Sequence, residues 1–356
     1  MIEDRLKKLR SFLSKEKLNA VVISKYVNLH YFSGFRGDDT VLVITPKEAY
    51  LLTDSRYTEQ AAQQAPAFTV LEQKNGLWKK TKKLLERLKV KSAGFEGNDL
   101  VYEHYAWLKE HLPQVKLKSV DLDPLRQIKE SEEIEKIRKA CLIADKAYED
   151  ILSYIHAGMT ELQVAAYMEN YMRELGSEGP SFTTIVASGM RSILPHGVAT
   201  SKVIERGDFV TMDYGAVYEG YHSDITRTVI VGKATKKQQE IYHHVLEAQE
   251  LALTMIQPGA SGKEVDAAVR AYFDKHGLAK YFGHGLGHSL GLEIHEEPRL
   301  SPSSTCEALQ PGMLITDEPG VYLPDFGGVR IEDTVLVTEH GCERLTISDK
   351  ALHVLQ

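Results

Sequence analysis

A segment of the chain is repeated, and this repeat constrains the fold more than any other feature of the sequence. Residues 155–176 read IHAGMTELQVAAYMENYMRELG, and residues 256–277 read IQPGASGKEVDAAVRAYFDKHG. Each copy has a Ser or Thr followed three residues later by Gln or Glu, which is typical of a capping box, and each ends in Gly. A strand-rich stretch with a pair of acidic residues follows each copy. The pattern predicts two related halves, each a helix pair followed by a β-hairpin.

The region before the repeat has a different pattern. An amphipathic segment at residues 2–17 precedes short β-branched runs that alternate with helical patterns, which is typical of an α/β domain. We expect residues 1–124 to form this domain and residues 125–356 to form the repeated one, which opens with a helical pattern at 126–155. The runs are AVVIS, TVLVI, AYLLTD, FTVLE and SAGFEG, at residues 20–24, 40–44, 49–54, 68–72 and 92–97.

Composition and charge exclude several functions. The net charge of -7 argues against a nucleic-acid surface, and the basic run at 78–91 has leucines at the spacing of a solvated helix. No run is long and apolar enough for a membrane span, and the charged N-terminal segment does not resemble a secretory signal. Cys141, Cys306 and Cys342 are too far apart for a CxxC metal pair and too few for a disulfide framework. We therefore expect a cytoplasmic protein without nucleic-acid or membrane partners.

Two pairs of acidic residues lie in or beside apolar, strand-like runs. In residues 209–231, FVTMDYGAVYEGYHSDITRTVIV, a two-residue turn at residues 219–220 would place Asp213 opposite Thr226. Asp213 and Asp224 would then be diagonal neighbours on one face of the hairpin. In residues 313–337, Glu318 is expected at the end of one strand and Glu332 within the next.

Four carboxylates in such positions need cationic compensation, because burying unpaired charge costs several kcal/mol each. Arg227 and Arg330 lie nearby in the sequence, but two guanidinium groups neutralise only half of the charge. Two divalent cations would neutralise all of it, and hard oxygen ligands suit manganese, cobalt or iron, with zinc as a further option.

The most histidine-rich stretch is GHGLGHSLGLEIHEEP at residues 283–298. Its glycines make a helix costly, so an extended strand is expected, with His284 and His288 on the same side. His295 would face the other side of a straight strand. A bend or bulge at Gly291 would let His288 and His295 enter one cavity.

These motifs together resemble the M24 metallopeptidases of pita-bread fold, and specifically their Xaa-Pro peptidase branch, prolidase and aminopeptidase P. The resemblance rests on DYG with HSDITRT, GHGLGHSLGLEIHEEP, ITDEPGVY and VRIED, and on YFSGF and LLTDSRYTEQA in the N-terminal region. It implies a creatinase-like α/β N-terminal domain followed by an α+β pita-bread catalytic domain with a pseudo-twofold internal repeat.

The resemblance also assigns roles to individual residues. It implies that Glu318 is a general base and then a general acid, and that His196, His284 and His295 bind substrate and stabilise the tetrahedral intermediate. Arg299 corresponds to a position that holds the terminal carboxylate of a dipeptide. Arg330, two residues before Glu332 and on the same face of an ideal strand, is expected to anchor Glu332. The implied metal ligands are Asp213, Asp224, His288, Glu318 and Glu332, with Asp224 and Glu332 bridging two ions.

The expected activity is hydrolysis of Xaa-Pro bonds by a hydroxide that bridges two divalent metal ions, with manganese favoured. The substrates would be short proline-containing peptides and the enzyme a homodimer. An Xaa-Pro dipeptidase is favoured, with an Xaa-Pro aminopeptidase as the alternative and a non-catalytic binding module as a remote one. The complete ligand set argues against a metal-free amidinohydrolase of the creatinase kind, and the extra N-terminal domain argues against a methionine aminopeptidase.

Overall fold

The computed structural model describes residues 1–356, and the chain divides into two units, Met1–Arg126 and Gln127–Gln356. One sheet of six strands forms the centre of the first unit. Its strands are β1 (Ala20–Ile23), β2 (Val41–Ile44), β3 (Ala49–Thr53), β4 (Thr69–Glu72), β5 (Ser92–Glu96) and β6 (Lys116–Val120). Their order is β4-β3-β2-β1-β5-β6, with antiparallel pairing of β1 with β2 and of β2 with β3, and parallel pairing elsewhere.

Helices pack around this sheet and complete the α/β unit. Every residue of β1, β2 and β3 is buried, as expected for β-branched and aliphatic runs in the middle of a sheet. The helices are α1 (Ile2–Glu16), α2 (Tyr26–Ser33), α3 (Thr58–Gln64), α4 (Leu77–Arg87) and α5 (Tyr102–His111), and a 3-10 helix spans Asp123–Arg126.

All five predicted strands of the first unit are present within one residue of the predicted limits at each end. The basic run forms α4, as predicted. The prediction omitted β6, whose sequence KLKSV is mostly exposed at the sheet edge and therefore lacks the apolar run that marks the inner strands.

The second unit consists of two successive helix pairs, each followed by strands. The first half comprises α6 (Ser131–Tyr154), α7 (Glu161–Glu174), β7 (Ile185–Ser188), a 3-10 helix (Gly189–Ile193), β8 (Phe209–Tyr214), β9 (Val217–Tyr218), β10 (Tyr221–His222) and β11 (Ile225–Val231). The second half comprises α8 (Lys236–Met255), α9 (Gly262–Lys275), a 3-10 helix (Ala279–Tyr281), β12 (Gly287–Ser289), β13 (Glu296–Leu300), β14 (Leu314–Asp317), β15 (Gly320–Leu323), β16 (Gly327–Arg330) and β17 (Asp333–Thr338). The chain ends with β18 (Gly341–Arg344) and β19 (Val354–Leu355).

The predicted repeat is therefore confirmed as two copies of a helix pair followed by a hairpin. Thr160 forms the predicted capping box at α7, with Gln163 as its partner. At α9 the cap is simpler, because Ser261 accepts a hydrogen bond from the backbone N–H of Lys263 and no reciprocal bond from Glu264 occurs. Each half also has its own apolar core, one between α6, α7 and the β7–β8–β11 strands and one between α8, α9 and the later strands.

The first hairpin has the predicted register. β8 pairs with β11 so that Asp213 lies opposite Thr226. The same register continues through β9 and β10 to a two-residue turn at Glu219 and Gly220, whose φ angles of 47° and 81° lie in the left-handed region. This turn type matches the twist of a hairpin and fixes which side chains share a face.

The second hairpin is interrupted where its acidic residues lie. β14 pairs with β17 and β15 pairs with β16, and residues 318–319 and 331–332 separate the two ladders. Glu332 therefore lies in a break between strands, not within a strand as predicted. At this break Glu332 forms a bridge with Thr226 of β11, which places the two hairpins side by side. No helix of the chain has the length and apolar character required to cross a bilayer.

Candidate metal centre and active site

One cavity of about 1010 Å³ in the second unit collects nearly all residues that the sequence analysis selected. The bridge between Thr226 and Glu332 places the acidic residues of both hairpins at this cavity, and β12 adds a histidine. The selected residues that line the cavity are His196, Asp213, Asp224, His284, His288, His295, Arg299, Glu318, Arg330 and Glu332.

The imidazole of His288 points toward the carboxylates. Its Nδ1 lies 2.9 Å from the carbonyl oxygen of Ser289, to which it donates, so Nε2 is left to face the cavity. Nε2 lies 3.5 Å from Asp224 Oδ2 and 3.6 Å from Glu318 Oε1. The ligand atoms of Asp224, His288 and Glu332 all lie within 4.8 Å of one another. A backbone acceptor for one ring nitrogen is the arrangement that orients a metal-binding histidine.

Two buried carboxylate oxygens, Asp213 Oδ1 and Glu332 Oε1, have no hydrogen-bond partner. The other oxygen of each group is bound: Asp213 Oδ2 accepts from Arg330 Nη2 at 2.6 Å, and Glu332 Oε2 accepts from Thr226 Oγ1 at 2.6 Å. Such orphaned oxygens are costly unless a cation satisfies them. The donor set of four carboxylates and one imidazole therefore fits divalent metal ions.

Arg227 does not neutralise this group of carboxylates. Its Nη2 donates to Asp333 Oδ1 at 2.8 Å, and both side chains are fully buried. Arg330 is the remaining arginine of the two that the sequence placed near the acids. The four carboxylates thus share one fixed guanidinium group, which leaves more negative charge than the sequence analysis assumed.

The pKa values of the site reflect this concentration of charge. Burial, opposed by Arg330 and reinforced by Asp224, raises the pKa of Asp213 to about 6. Burial also raises the pKa of Glu318 to about 7 and that of Glu332 well above its usual value. Burial by itself would lower the pKa of His288, but Asp224 and Glu318 raise it to about 9.

Arg330 connects two sides of the site. It donates to Asp213 through Nη2, to Tyr322 Oη through Nη1 at 2.7 Å, and to Thr226 Oγ1 through Nε at 3.1 Å. Tyr322 Oη in turn lies 2.9 Å from Nε2 of His284. Arg330 therefore anchors Asp213 directly, and it reaches Glu332, the ligand that the sequence predicts it to anchor, only through Thr226.

His284 is held by the protein on both ring nitrogens. Nδ1 lies 2.8 Å from the carbonyl oxygen of Gly285 and must donate to it, so Nε2 accepts from Tyr322. Burial and the nearby Arg330 lower the pKa of His284 to about 4, which keeps the ring neutral. His284 therefore presents only its ring face and carbon edge to a substrate.

The remaining predicted site residues lie on the cavity wall. His196 and His295 are exposed, and the rings of His295 and His288 are in edge contact with centroids 4.5 Å apart. Arg299 is exposed in β13, where its backbone pairs with that of His288. Arg299 Nε also donates to Glu297 Oε1 at 3.2 Å. All three side chains are exposed to a bound molecule in a way that His284 is not.

The histidine-rich segment is less regular than predicted. The strand β12 begins at Gly287, so His284 precedes it. The register with β13 shifts between His288 and Ser289, before the predicted bend at Gly291. The consequence is nevertheless the expected one, because both His288 and His295 reach the cavity.

Tyr322 and Thr226 are site residues that the sequence analysis did not assign a role. Tyr322 carried a usable signal, since it follows Glu318 and Gly320 at the two-residue period of a strand face. The role of Thr226 depends on the bridge between hairpins, and no local pattern reveals that contact.

Comparisons with known proteins agree with this geometry. Residues 135–339 match metallopeptidase family M24, and residues 5–128 match the creatinase/prolidase N-terminal domain. The chain is 44% identical to the Xaa-Pro dipeptidase of Pyrococcus furiosus over 99% of this chain and 100% of that protein.

Solved structures give the same result. An Xaa-Pro dipeptidase from Bacillus anthracis has a TM-score of 0.97 at 42% identity, with 100% of both chains covered. An X-Pro aminopeptidase from Thermotoga maritima has a TM-score of 0.92 at 38% identity, covering 98% of this chain and 99% of that one. The predicted pita-bread fold is thereby confirmed. The chain belongs to metallopeptidase family M24, with a creatinase/prolidase-type domain at its N-terminus.

Proposed function

We propose that this metallopeptidase hydrolyses the bond between a residue and a following proline in short peptides, with Xaa-Pro dipeptides preferred. The observation that carries the proposal is the buried group of four carboxylates and one imidazole that faces the cavity. The dipeptide preference is supported by the names of the Pyrococcus and Bacillus relatives and by the exposed Arg299 on the cavity wall.

The residues proposed to hold two divalent metal ions are those with unpaired or cavity-facing ligand atoms. Asp224 and Glu332 would hold these ions together with the other proposed ligands, and manganese is favoured because most donors are hard oxygens, with cobalt, iron or zinc as alternatives. When bound, such ions activate a water molecule and polarise the scissile carbonyl. The proposed ligands are Asp213, Asp224, His288, Glu318 and Glu332.

Glu318 is proposed to transfer the proton during hydrolysis. Its carboxylate is partly exposed to the cavity, and Thr316 Oγ1 donates to its Oε1 at 3.3 Å. Glu318 takes one proton from the attacking water as the oxygen adds to the scissile carbon. It then delivers that proton to the proline nitrogen as the C–N bond breaks, which is general base followed by general acid catalysis.

The histidines and Arg299 are proposed to position the substrate. His196 and His295 line the cavity, and an imidazole N–H of either can donate to the developing oxyanion. His284 contributes a neutral apolar surface next to them. Arg299 receives the free carboxylate of a dipeptide, because a guanidinium group matches a carboxylate in a bidentate arrangement.

The test is hydrolysis of Ala-Pro, Ala-Pro-Ala and Met-Ala-Ala by metal-stripped protein resupplied with manganese, with Asp224→Asn as the blank. Preferred cleavage of Ala-Pro is the expected result. Release of methionine from Met-Ala-Ala would overturn the proline specificity.

A Glu318→Gln protein that retains both metal ions should lose about a hundredfold or more in kcat, and normal turnover would show that Glu318 does not transfer the proton.

The role of Arg299 is tested by comparing Ala-Pro with its C-terminal amide. Arg299→Leu should raise KM for Ala-Pro by about tenfold or more and leave KM for the amide almost unchanged. An equal effect on both substrates would mean that Arg299 does not bind the terminal carboxylate.

An Xaa-Pro aminopeptidase is the second candidate, supported by the similarity to the Thermotoga protein of that name. The open cavity of about 1010 Å³ has room for a peptide longer than two residues. Faster cleavage of Ala-Pro-Ala than of Ala-Pro would favour this alternative.

We further propose that the protein is a cytoplasmic homodimer. The cytoplasmic assignment is supported by three cysteines that are all unpaired, as expected in a reducing compartment. The dimer rests on the family resemblance, and light scattering of the purified protein tests it directly.

A further inference from the structure

The ammonium group of Lys129 is buried beside the active-site cavity, and the proposed catalytic roles leave it without a function. Its side chain is 1% exposed and pairs with Glu296, whose side chain is 6% exposed. Nζ donates to Glu296 Oε2 at 3.1 Å and to Ser289 Oγ at 3.1 Å. A buried ion pair of this kind is poor evidence of stabilisation by itself, because desolvation offsets the attraction. Its position indicates a more specific role.

Lys129 joins the two ends of a loop. Ser289 is the last residue of β12, Glu296 is the first residue of β13, and the two are paired in the ladder. The backbone N–H of Lys129 is itself fixed by the carbonyl of Gly312 at 2.9 Å. The ammonium group therefore anchors the base of residues 290–295 to a fixed point of the catalytic unit.

The segment that Lys129 holds affects two histidines of the active site. The carbonyl of Ser289 accepts from His288 Nδ1 and so sets the direction of Nε2. The loop itself carries His295, whose ring contacts that of His288. Gly291 allows the loop to close over the ion pair, since a Cβ there would lie 3.1 Å from Lys129 Cε and 3.0 Å from both carboxylate oxygens of Glu296.

We propose that Lys129 is a positioning residue that holds the loop of residues 290–295, and with it His295, in its place against His288. The proposal rests on the proposed function, because the position of His295 affects catalysis only if this cavity is the active site. It does not make Lys129 a catalytic residue, because its ammonium group contacts Ser289, Glu296 and the carbonyl of Gln127, and none of the proposed metal ligands.

The first half of the repeat contains the same combination of groups. Ser188, which ends β7, accepts from Lys202 Nζ at 2.9 Å, and Lys202 also pairs with Asp208 at 2.7 Å. The segment that follows Ser188 carries His196 to the cavity. In both halves a lysine thus connects a strand-ending serine to a carboxylate at the far end of the segment that follows, and that segment carries a cavity histidine. The recurrence indicates a shared way of fixing these segments.

The test is amide hydrogen exchange and steady-state kinetics of the full-length protein, prepared with and without manganese. In Lys129→Met, exchange of peptides that cover residues 287–300 should accelerate about tenfold, while peptides that cover β8 and β11 should not change. With Ala-Pro as substrate, kcat should fall about tenfold with KM within about threefold of the original. Unchanged exchange at residues 287–300 would overturn the proposal.

A double variant separates positioning from mere neutralisation of Glu296. Lys129→Met combined with Glu296→Gln removes both charges of the ion pair. If Lys129 only compensates the charge of Glu296, slow exchange and normal kcat should return in the double variant, and this recovery would refute the proposal. Continued fast exchange and low kcat would support it. Lys350→Met is the matched control, because it removes another buried lysine, paired with Gln249 and Asp333, and should leave exchange at residues 287–300 unchanged.

The exchange measurement is independent of the proposed activity. If the protein cleaves none of the peptides, the proposed function fails, and the exchange of residues 287–300 in Lys129→Met still decides whether Lys129 holds the loop.

Discussion

Thr226 shows how one hydroxyl group connects the charges of the site. Its Oγ1 donates to Glu332 Oε2 and accepts from Arg330 Nε. Thr226→Val keeps the shape of the side chain and leaves both partners without this bond in a buried place, which costs about 1–3 kcal/mol for each unsatisfied group. We expect manganese affinity, measured by calorimetric titration of the metal-free protein, to fall by about tenfold or more.

Thr228→Val is the control for this substitution. Thr228 lies on the same strand, is equally buried, and bonds to the backbone of Arg330 and not to a carboxylate. It should lower stability without a comparable loss of metal affinity. Equal losses of affinity in the two variants would show that Thr226 acts only through the fold.

The identity of the candidate ligands was accessible from the sequence, but the state of individual side chains was not. Acidic residues within apolar runs and histidines among glycines stand out in any sequence. The hydrogen bond between His284 and Tyr322, by contrast, depends on a contact between the segment before β12 and the strand β15. A hydrogen bond between distant segments has no local signature.

The strands β12 and β14 pack closely against each other, and this packing places His288 near Glu318. At Gly287 an added Cβ would lie 1.9 Å from the carbonyl oxygen of Thr316, so β12 would have to move away from β14. Gly287→Ala should therefore lower both the unfolding temperature and manganese affinity, the latter by about tenfold or more. Thermal unfolding and calorimetric titration measure the two effects.

Gly283→Ala provides the comparison, because a Cβ at Gly283 meets nothing within 4 Å and its φ angle is not in the left-handed region. This variant should bind manganese as the original protein does. If Gly287→Ala also binds metal normally, close packing of β12 on β14 is not what holds His288 in place.

A second prediction at this level concerns Glu96 at the end of β5. Its Oε2 accepts from the backbone N–H groups of Ser24 and Lys25 before α2, and burial raises its pKa to about 7. A carboxyl group whose pKa is higher in the folded state than in the unfolded state stabilises the folded protein at low pH. This stabilisation is complete at pH values below the unfolded-state pKa and is lost as the pH rises through about 7. Between about pH 5 and 8 the loss amounts to about 2–3 kcal/mol.

Glu96→Gln removes the titrating proton and should flatten this part of the pH dependence. Both tryptophans of the chain, Trp78 and Trp107, lie in the first unit, so their fluorescence during urea unfolding reports on that unit. Parallel pH profiles for the original protein and the variant would contradict the assignment.

The elements were predictable where local chemistry determines them. The turn at residues 219–220 fixed the register of the first hairpin, and apolar runs marked the inner strands. The break beside Glu332 and the exposed β6 were missed, because the first depends on the neighbouring hairpin and the second lacks an apolar pattern. Tertiary contacts decide such positions.

For the whole chain, the repeat alone predicted the architecture of the second unit, since two copies of a helix pair and hairpin can each build a core. The charge of the site could not be assessed in the same way. Only the structure shows that Arg227 pairs with Asp333, so that of these two arginines only Arg330, bonded to Asp213, lies beside the four carboxylates.

The four carboxylates of the site predict which of the two units is stabilised by metal binding. A ligand that binds only the folded state stabilises it by mass action, and all proposed metal ligands lie in residues 127–356. Manganese should therefore slow amide exchange in β8, β11 and β14 and leave exchange in β1 and β2 unchanged. The urea transition of tryptophan fluorescence, which reports on the first unit, should also stay in place. Asp224→Asn should abolish the protection, because it removes a charge that the metal ions require. Equal protection of both units would show that they unfold together, and protection that persists in Asp224→Asn would place the metal ions elsewhere.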